Sequence, residues 1–317
     1  MHTRRIGALE VSVVGLGCNN FGGRLDFADT KAVVHAALDA GITFLDTADV
    51  YGGTKSEEFL GRILAGRRNS VVVATKFGIA LDDERKGAKP AYVKRACEDS
   101  LRRLKTDRID LYYLHRPDPE TPIADTLGAL DELVRSGKVR EIGCSLFTAA
   151  QLREARAAAG KGRPFAVVQN EYSLLVREAE REVLAECERQ GAAFVPYYPL
   201  ASGLLTGKYR RGQPAPAGTR LATNPGWNER FFTEANAARA ESLAAFAESR
   251  GHTLLELAFS WLLRHRVVAS VIAGATSVEQ VRANVAAASW KLTAGDLARV
   301  DAIAPLAPAG TKRDGSG

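Results

Sequence analysis

The sequence predicts an α/β protein of the closed (β/α)8 class, the TIM barrel, on three observations. Short apolar runs of strand length alternate with amphipathic helical stretches, and about eight such units fill the chain. The length of 317 residues suits one large barrel, although two small domains would also fit it. Polar residues follow several of the apolar runs, as they do at the catalytic mouth of a parallel barrel. A doubly wound sheet is the alternative, but only the barrel uses every unit without a second domain.

The elements follow one another in a regular order. A small hairpin is predicted in the first dozen residues, around Gly7-Ala8. The predicted strands are 13–17, 42–46, 70–76, 109–115, 139–145, 165–170, 192–198 and 268–274. The predicted helices lie near 29–40, 56–65, 90–104, 122–136, 148–158, 178–190, 236–264 and 277–288.

Helix-terminal residues support these positions. Asp29 and Ser56 are the predicted N-caps of the first two helices, since their side chains can accept hydrogen bonds from free N–H groups. Gly41, Gly137 and Gly191 stand where helices give way to strands, which favours a left-handed C-terminal residue.

One connection breaks the alternation. Residues 199–233, after the seventh barrel strand, form a long segment rich in Gly and Pro that predicts a loop. A structureless loop of that length in a compact domain usually has a function. The whole chain, 1–317, is predicted to be one domain with a core at about 4–305 and a flexible tail at 306–317.

Composition excludes several functional classes. Apolar residues make up 46% and charged residues 25%, as in soluble globular proteins. The net charge of +6 is modest, and no basic stripe with interleaved aromatic residues suggests a nucleic-acid partner. No apolar run approaches the roughly 20 residues of a membrane span, and the N-terminus lacks the apolar core of a signal peptide. We therefore expect no membrane association and a cytoplasmic location.

Cysteine and histidine usage points away from disulfides and metals. The four cysteines contain no C-x-x-C pair, which indicates reduced thiols. The five histidines are scattered without the spacing of metal ligands, so no metal site is predicted.

Four polar side chains sit where predicted strands end: Asp46, Tyr51, Lys76 and His115. Lys76 follows an apolar run, so its ammonium group needs a partner, and Asp46 is the natural one. A purely structural ion pair is one interpretation. The functional interpretation is that Lys76, oriented by Asp46, lowers the pKa of Tyr51 and makes its phenol a proton donor. His115 would then give a second hydrogen bond to the same substrate oxygen.

A site that protonates an oxygen also needs a group that attacks the carbon. No Ser-His-Asp order or thiol–imidazole pair is apparent, so a bound hydride donor is the simplest hypothesis. Gly15-Leu16-Gly17 lacks the third glycine of a dinucleotide-binding fingerprint. The segment GATSVEQVRAN (274–284) instead offers backbone N–H groups, Thr276 and Ser277 to an anion at a helix start. An ordinary capped helix would have the same sequence.

Five segments closely resemble the aldo-keto reductases in order and spacing: GITFLDTADVYG, ATKFG, LYYLHRPDP, PYYPLASGLLTGKY and GATSVEQVRANV. The resemblance runs from about Arg4 to residue 305. It implies a (β/α)8 barrel and NADPH-dependent, reversible reduction of an aldehyde or ketone, with NADH not excluded. It further implies Tyr51 as the proton donor, Lys76 and Asp46 as the pair that tunes it, and His115 as the residue that orients the carbonyl.

The resemblance also implies a cofactor site. Ser145 and Gln169 would hold the nicotinamide carboxamide, and Tyr197 would stack on the ring. Further cofactor residues are Gly17, Cys18, Asn19, Asp46 and Tyr198. The pyrophosphate would be lined by Pro199, Leu200, Ala201, Ser202 and Gly203, with Lys208 and Arg220 nearby. The adenosine end would be held by Gly274, Thr276, Gln280 and Asn284.

Three positions depart from the pattern of the family. Leu146 stands where many relatives have Asn or Arg, Ala283 where a glutamate often approaches the adenine, and Ala273 where a proline is common. These departures bear on cofactor affinity and on the preference for NADPH over NADH. They do not touch the four candidate catalytic residues.

The substrate side is less defined by sequence. Besides Tyr51 and His115, the predicted pocket residues are mostly aromatic: Phe21, Phe77, Tyr112, Trp227 and Phe231. Each could equally be core packing. They favour an apolar or aromatic carbonyl compound, or a sugar stacked on a ring. Two other functions stay open, namely Schiff-base chemistry through Lys76 and a cofactor-sensing regulatory subunit with little turnover. The sequence does not determine the oligomeric state.

Overall fold

The chain begins with an antiparallel hairpin in the computed structural model, which describes residues 1–308. Strand β1 (Thr3–Ile6) pairs with β2 (Leu9–Ser12), as the sequence predicts. Gly7 turns the chain at φ +55°, and an added Cβ would lie 2.5 Å from the Glu141 carboxylate. The apolar side of the hairpin, including Ile6 and Leu9, is buried with residues of the barrel interior. The hairpin therefore closes one end of the barrel.

Eight parallel strands form the barrel wall, which confirms the predicted fold class. They are β3 (Val14–Gly17), β4 (Phe44–Asp46), β5 (Val72–Phe77), β6 (Ile109–Leu114), β7 (Val139–Ser145), β8 (Val167–Glu171), β9 (Ala193–Tyr197) and β10 (Val271–Gly274). Each strand pairs with the next in the order β10-β3-β4-β5-β6-β7-β8-β9. A parallel bridge between Phe194 and Val268 joins the remaining edge.

Twelve α-helices accompany the strands in the described part of the chain. They are α1 (Phe27–Asp39), α2 (Lys55–Ile63), α3 (Pro90–Leu104), α4 (Ile123–Arg135), α5 (Ala149–Ala159), α6 (Val183–Gln190), α7 (Arg220–Thr223), α8 (Pro225–Phe231), α9 (Glu234–Ser249), α10 (Leu254–Leu263), α11 (Val278–Ala286) and α12 (Ala294–Ile303). Short 3-10 segments lie at Arg68–Ser70, Glu178–Glu180, Ala201–Thr206 and Ala287–Ser289.

Strand alternation divides the apolar side chains between two cores. On β6, Leu111 and Tyr113 belong to the core inside the barrel, whereas Tyr112 and Leu114 pack in the layer between barrel and helices. The same period of two on β5 sends Lys76 inward and Phe77 into the helix layer. The inner core thus ends, toward the carboxyl ends of the strands, in polar side chains.

The predicted N-caps were wrong by a few residues. Asp26, not Asp29, caps α1, and its carboxylate accepts the Asp29 amide at 2.9 Å. Thr54 precedes α2, whereas Ser56 lies in its first turn with its hydroxyl 2.7 Å from that of Thr47. In both helices a neighbouring polar residue competes for the cap, and sequence alone ranks them equally.

Two longer predictions also need correction. The single helix predicted over 236–264 is two helices, α9 and α10, because Gly251 adopts φ +75° and Thr253 forms a capping box with Glu256. The segment 199–233 is not structureless, since it contains a 3-10 turn and the short helices α7 and α8. Helix α12 was not predicted, and the tail prediction lies mostly outside the described residues, from 309 onward.

Candidate active site

A cavity of about 830 Å³ opens at the carboxyl ends of the strands. This volume is toward the upper end of the roughly 300–1,000 Å³ that is usual for small-molecule sites. Lining residues come from the ends of all eight strands or the loops directly after them, and from the 199–220 segment after β9. Among them are Asp46, Tyr51 and His115.

Lys76 and Asp46 form a buried ion pair at the floor of this cavity. Lys76 Nζ lies 2.5 Å from Asp46 Oδ1 and donates a second hydrogen bond to the Thr47 carbonyl oxygen at 2.8 Å. The Lys76 side chain has no exposed surface, and Asp46 is almost as buried. Gln169 Nε2 donates to the other oxygen of Asp46 at 2.8 Å. The carboxylate is therefore held from two sides.

Tyr51 lies against this pair. Its hydroxyl is 3.4 Å from Lys76 Nζ, and its ring packs edge-on to the His115 ring with centroids 5.9 Å apart. The structure thus brings together all four residues that the sequence singled out. The prediction that Gln169 shares in the site acquires a specific contact, because Gln169 holds the carboxylate of Asp46.

Burial dominates the proton affinities at the site. It raises the pKa of Tyr51, and the nearby Lys76 cation offsets only part of this effect. For the protein chain by itself, Lys76 acts in the expected direction, but the net pKa of Tyr51 is raised. Burial lowers the pKa of Lys76, but Asp46 and Tyr51 more than compensate and leave it raised. The pKa of His115 is well below its ordinary value because of burial and the Lys76 and Arg116 cations.

One side of the cavity is cationic. Arg24, Lys208 and Arg220 line it, and none of them has a carboxylate partner within the described residues. Burial lowers the pKa values of Lys208 and Arg220, and repulsion from Arg24 lowers both further, with Arg220 also acting on Lys208. The buried hydroxyl of Ser202, also on the lining, meets no partner in the described chain. Such a surface matches the chemistry of a phosphorylated ligand.

Hydrogen bonds join the two loops that carry these cations. Arg220 Nη2 donates to Asn20 Oδ1 at 2.6 Å, and Arg24 Nη2 donates to the Gly218 carbonyl oxygen at 3.1 Å. The loop after β3 and the segment after β9 therefore meet at the cavity. Gly274 lies close to the first of these loops, since an added Cβ would be 3.1 Å from Asn20 Nδ2.

Most predicted ligand residues line the cavity, and a few do not. Among the predicted cofactor residues, all but Ala201 are on the lining. Phe21 and Phe77 are fully buried, and Trp227 packs against Tyr198 with ring centroids 4.6 Å apart. These three aromatic residues, like Tyr112 and Phe231, lie off the lining. Their assignment as substrate contacts stays a prediction without direct support from the cavity.

Sequence reasoning missed several lining residues. Arg24 carries one of the three cations, and Val50 and Ile79 add apolar side chains to the lining. The position of Val50 next to Tyr51 could have indicated it. Arg24 had no such signal, because it comes from a loop that reaches the cavity only in the folded chain.

Leu146 has an unusual backbone. It adopts φ +64°, a left-handed conformation that leucine rarely takes, and its side chain is 45% exposed. Within the described residues, the other large exposed apolar side chains are Met1 and Leu306, near the chain ends. The strained, exposed leucine therefore marks the cavity wall.

The helix after β10 is capped by its own side chains. Ser277 accepts the Gln280 amide at 3.3 Å, and Gln280 Oε1 accepts the Thr276 amide at 2.8 Å. Some of the backbone N–H groups at the start of α11 are thus hydrogen-bonded to side chains of the same segment. Thr276, Gln280 and Asn284 nevertheless line the cavity.

Comparison with known proteins agrees with this geometry. The model of the Aldo/keto reductase family matches residues 13–305. The chain belongs to the aldo/keto reductase family. It is also similar to the solved structure of a glycerol dehydrogenase from Gluconobacter oxydans, with 32% sequence identity, a TM-score of 0.84 and 98% of each chain covered.

Membership in the aldo/keto reductase family makes the chain an oxidoreductase enzyme that acts on carbonyl compounds. Enzymes of the family generally use NAD(P)H. Within residues 1–308, no helix combines the length and apolar character needed to cross a membrane. In the same range, no three His, Cys, Asp or Glu side chains are grouped so as to hold a metal ion.

Proposed function

We propose that this aldo/keto reductase reduces an aldehyde or ketone to the alcohol with NADPH, reversibly, and that Tyr51 is the proton donor. One observation carries the proposal. The Tyr51 hydroxyl lies 3.4 Å from a buried ammonium group at a cavity that Arg24, Lys208 and Arg220 also line. A proton donor and a place for a polyanionic cofactor thus share one space.

Lys76 acts on Tyr51 as a fixed positive charge. Its raised pKa keeps it protonated at neutral pH, and its contacts with Asp46 and the Thr47 carbonyl oxygen hold it in place. As the substrate oxygen gains negative charge, Tyr51 gives up its proton, and Lys76 stabilises the phenolate that forms. Lys76 therefore lowers the barrier without contacting the substrate.

His115 serves as a neutral hydrogen-bond donor. Its pKa is far below its ordinary value, so at neutral pH the imidazole carries one N–H and no charge. Edge-on packing against the Tyr51 ring sets its orientation. A carbonyl oxygen in reach of both residues would receive a hydrogen bond from His115 and the proton from Tyr51.

Arg24, Lys208 and Arg220 would hold the phosphates of the cofactor, because they line the cavity without carboxylate partners in the described chain. Ser145 and Tyr197, at the ends of β7 and β9, would position the nicotinamide. When bound, NADPH supplies the hydride that the side chains lack. The preference for NADPH over NADH is part of the proposal and rests on the number of cations.

The substrate would lie beside the apolar lining residues Val50, Ile79 and Leu146. They follow strands β4, β5 and β7, which carry proposed catalytic residues or neighbour the strands that carry them. The similarity to a glycerol dehydrogenase supports the reaction class, since alcohol oxidation is the reverse of carbonyl reduction. Which carbonyl compound binds is a matter for a turnover screen of aldehydes, ketones, sugars and steroids with NADPH and NADH.

Schiff-base chemistry through Lys76 has less support. A lysine nucleophile must be unprotonated and must reach the substrate. The ammonium group of Lys76 is buried, off the cavity lining, and engaged by Asp46 and Thr47. Borohydride trapping of an adduct at Lys76 would reverse this ranking. A cofactor-sensing subunit would instead bind NADPH tightly with negligible turnover across the same panel.

The Tyr51→Phe variant tests the proposed proton donor. We expect its turnover to fall by about 10²–10⁴-fold while NADPH binding, followed by fluorescence, stays close to wild type. Tyr209→Phe is the matched control, because Tyr209 is buried, its hydroxyl has no partner in the described chain, and it lies off the cavity lining. Wild-type turnover by Tyr51→Phe would refute the assignment.

A further inference from the structure

Asp49 is a buried carboxyl group that the proposed mechanism does not use. It lies between Asp46 and Tyr51 on the loop after β4, and only 1% of its surface is exposed. Two of the groups that interact with its charge, Tyr92 and Tyr112, belong to the layer between barrel and helices. Its amide donates to the Lys76 carbonyl oxygen at 3.2 Å. Asp49 is thus linked to β4 through the chain and to β5 through this hydrogen bond.

The surroundings of Asp49 are unfavourable to a negative charge. Neither of its oxygens accepts a hydrogen bond of ordinary geometry from the described residues. Glu57 of α2 faces it with a like charge, whereas Lys76 of β5 and Arg103 of α3 are the opposing cations. Tyr92 of α3 and Tyr112 of β6 also lie close enough to feel its charge, and their hydroxyls have no partner in the described chain either.

The nearest helix cation is already engaged. Arg103 Nε lies 2.6 Å from Glu57 Oε2, and Thr75 donates to Glu57 Oε1 at 2.5 Å. Arg103 therefore forms a direct ion pair with Glu57, whereas Asp49 has no ion-pair partner within the described residues. Burial, followed by Glu57, raises the pKa of Asp49 to about 7, against the opposing effects of Arg103, the Val50 amide and Lys76.

We propose that Asp49 is a positioning residue for Tyr51. The neutral form of Asp49 holds Tyr51 in place, and the ionised form releases it. The inference rests on the proposed role of Tyr51 as proton donor. A neutral carboxyl group can stay packed between the barrel and α2–α3, whereas an ionised one is repelled by Glu57 and drawn toward water.

Few residues separate the Asp49 carboxyl group from Lys76 and Tyr51. In the segment between Asp46 and Tyr51, the Thr47 carbonyl oxygen accepts a hydrogen bond from the Lys76 ammonium group. The backbone amide of Tyr51 donates to the Ala48 carbonyl oxygen at 3.2 Å. A shift of Asp49 therefore moves the segment that fixes both Lys76 and Tyr51. The Tyr51–Lys76 contact is already long at 3.4 Å, so a small further displacement breaks it.

The pH dependence of single-turnover reduction tests this role. With NADPH and a non-ionising aldehyde such as benzaldehyde, the wild-type rate should fall above a midpoint near pH 7, by up to about tenfold per pH unit. Tyr51 and Lys76 have raised pKa values and His115 a lowered one, so their titrations lie away from this midpoint. Asp49→Asn should keep its rate from pH 6 to pH 8. The Kd for NADPH should not follow the same curve in either protein.

Two further variants make the test specific. Asp83→Asn, an exposed carboxylate, should keep the wild-type profile. Glu57→Gln removes the like charge and should move the wild-type midpoint to lower pH, which gives a second measurement if Asp49→Asn does not fold. A wild-type rate that is flat from pH 6 to pH 8, or an unchanged fall in Asp49→Asn, would overturn the inference and leave the proposed function intact. Absence of turnover at every pH would overturn both.

Discussion

Lys76 Nζ lies 2.5 Å from Asp46 Oδ1 in the barrel interior, and the two side chains are almost completely buried. A buried ion pair is held by mutual attraction against a large desolvation penalty, so removal of one partner leaves an uncompensated charge. The pair therefore has consequences for stability as well as for the chemistry of Tyr51.

Asp46→Asn should lower the free energy of unfolding by roughly 3–5 kcal/mol, because the fully buried Lys76 ammonium loses its carboxylate. Urea denaturation at pH 7 measures the change. Glu132→Gln is the control, since Glu132 pairs with Lys94 at 2.5 Å but both side chains are about half exposed. That variant should cost less than about 1 kcal/mol. Equal losses in the two variants would contradict the special cost of burial.

Arg220→Met should weaken NADPH binding by roughly 10–150-fold, as expected when a charged hydrogen-bond donor to phosphate, worth about 1.5–3 kcal/mol, is lost. Fluorescence titrations at two salt concentrations measure the Kd, and the variant should show the weaker salt dependence. Arg239→Met removes an exposed charge of α9 that is not on the cavity lining and should change neither quantity. If both variants bind NADPH like wild type, the phosphates do not lie among these cations.

Asp49 should also make stability depend on pH. Its pKa is about 7 in the folded chain and 3.8 ordinarily. Between these values the folded chain keeps a proton that the unfolded chain has lost, so ionisation favours unfolding as the pH rises. The penalty begins near pH 4, grows to about 4 kcal/mol by pH 7 and is constant above. Below pH 4 it is absent.

Asp49→Asn removes this penalty, so its advantage over wild type in the free energy of unfolding should increase from pH 4 to pH 7 and then level off. Urea denaturation of both proteins at pH 5, 6, 7 and 8 gives the difference, in which the titrations of all other groups largely cancel. Asp83→Asn should show no such trend, because Asp83 is exposed. A difference that does not change with pH would mean that Asp49 keeps an ordinary pKa.

The barrel and the four catalytic candidates were predictable because their signals are local. A run of apolar residues followed by one polar residue, repeated at Asp46, Lys76 and His115, fixes strand ends without knowledge of distant contacts. The same alternation accounts for the position of Phe77 in the layer between barrel and helices. Since Lys76 points into the barrel, the next residue must point toward the helices.

Other features depend on contacts that spacing does not encode. The bond from Gln169 to Asp46 joins residues 123 positions apart, and Arg24 reaches the cavity through a loop whose course depends on the segment after β9. The net pKa of Tyr51 depends on how much burial opposes Lys76, which only the folded chain defines. The boundary between α9 and α10 near Gly251 could have been predicted from the capping-box sequence that starts at Thr253, but the apolar periodicity continues across it.

Two helical glycines should respond to alanine in opposite directions. Gly61 lies in α2 where it meets α3, and an added Cβ would be 2.4 Å from the Arg103 carbonyl oxygen and 2.7 Å from the Leu104 carbonyl carbon. Gly128 lies on the exposed side of α4, with nothing within 4 Å of an added Cβ. Alanine is the better helix former at both positions, so helix propensity alone predicts two stabilised variants.

Packing should reverse the sign at Gly61. Gly61→Ala must push α2 away from the α3 backbone, which we expect to cost about 1–3 kcal/mol, as overpacking does elsewhere. Gly128→Ala should gain about 0.5–1 kcal/mol, because it only reduces the freedom of the unfolded chain. Thermal and urea unfolding of both variants measure the signs. A stabilised Gly61→Ala would show that α2 and α3 are not in backbone contact. Because α2 starts just after Tyr51, that result would also weaken the proposed link between the helix layer and the catalytic loop.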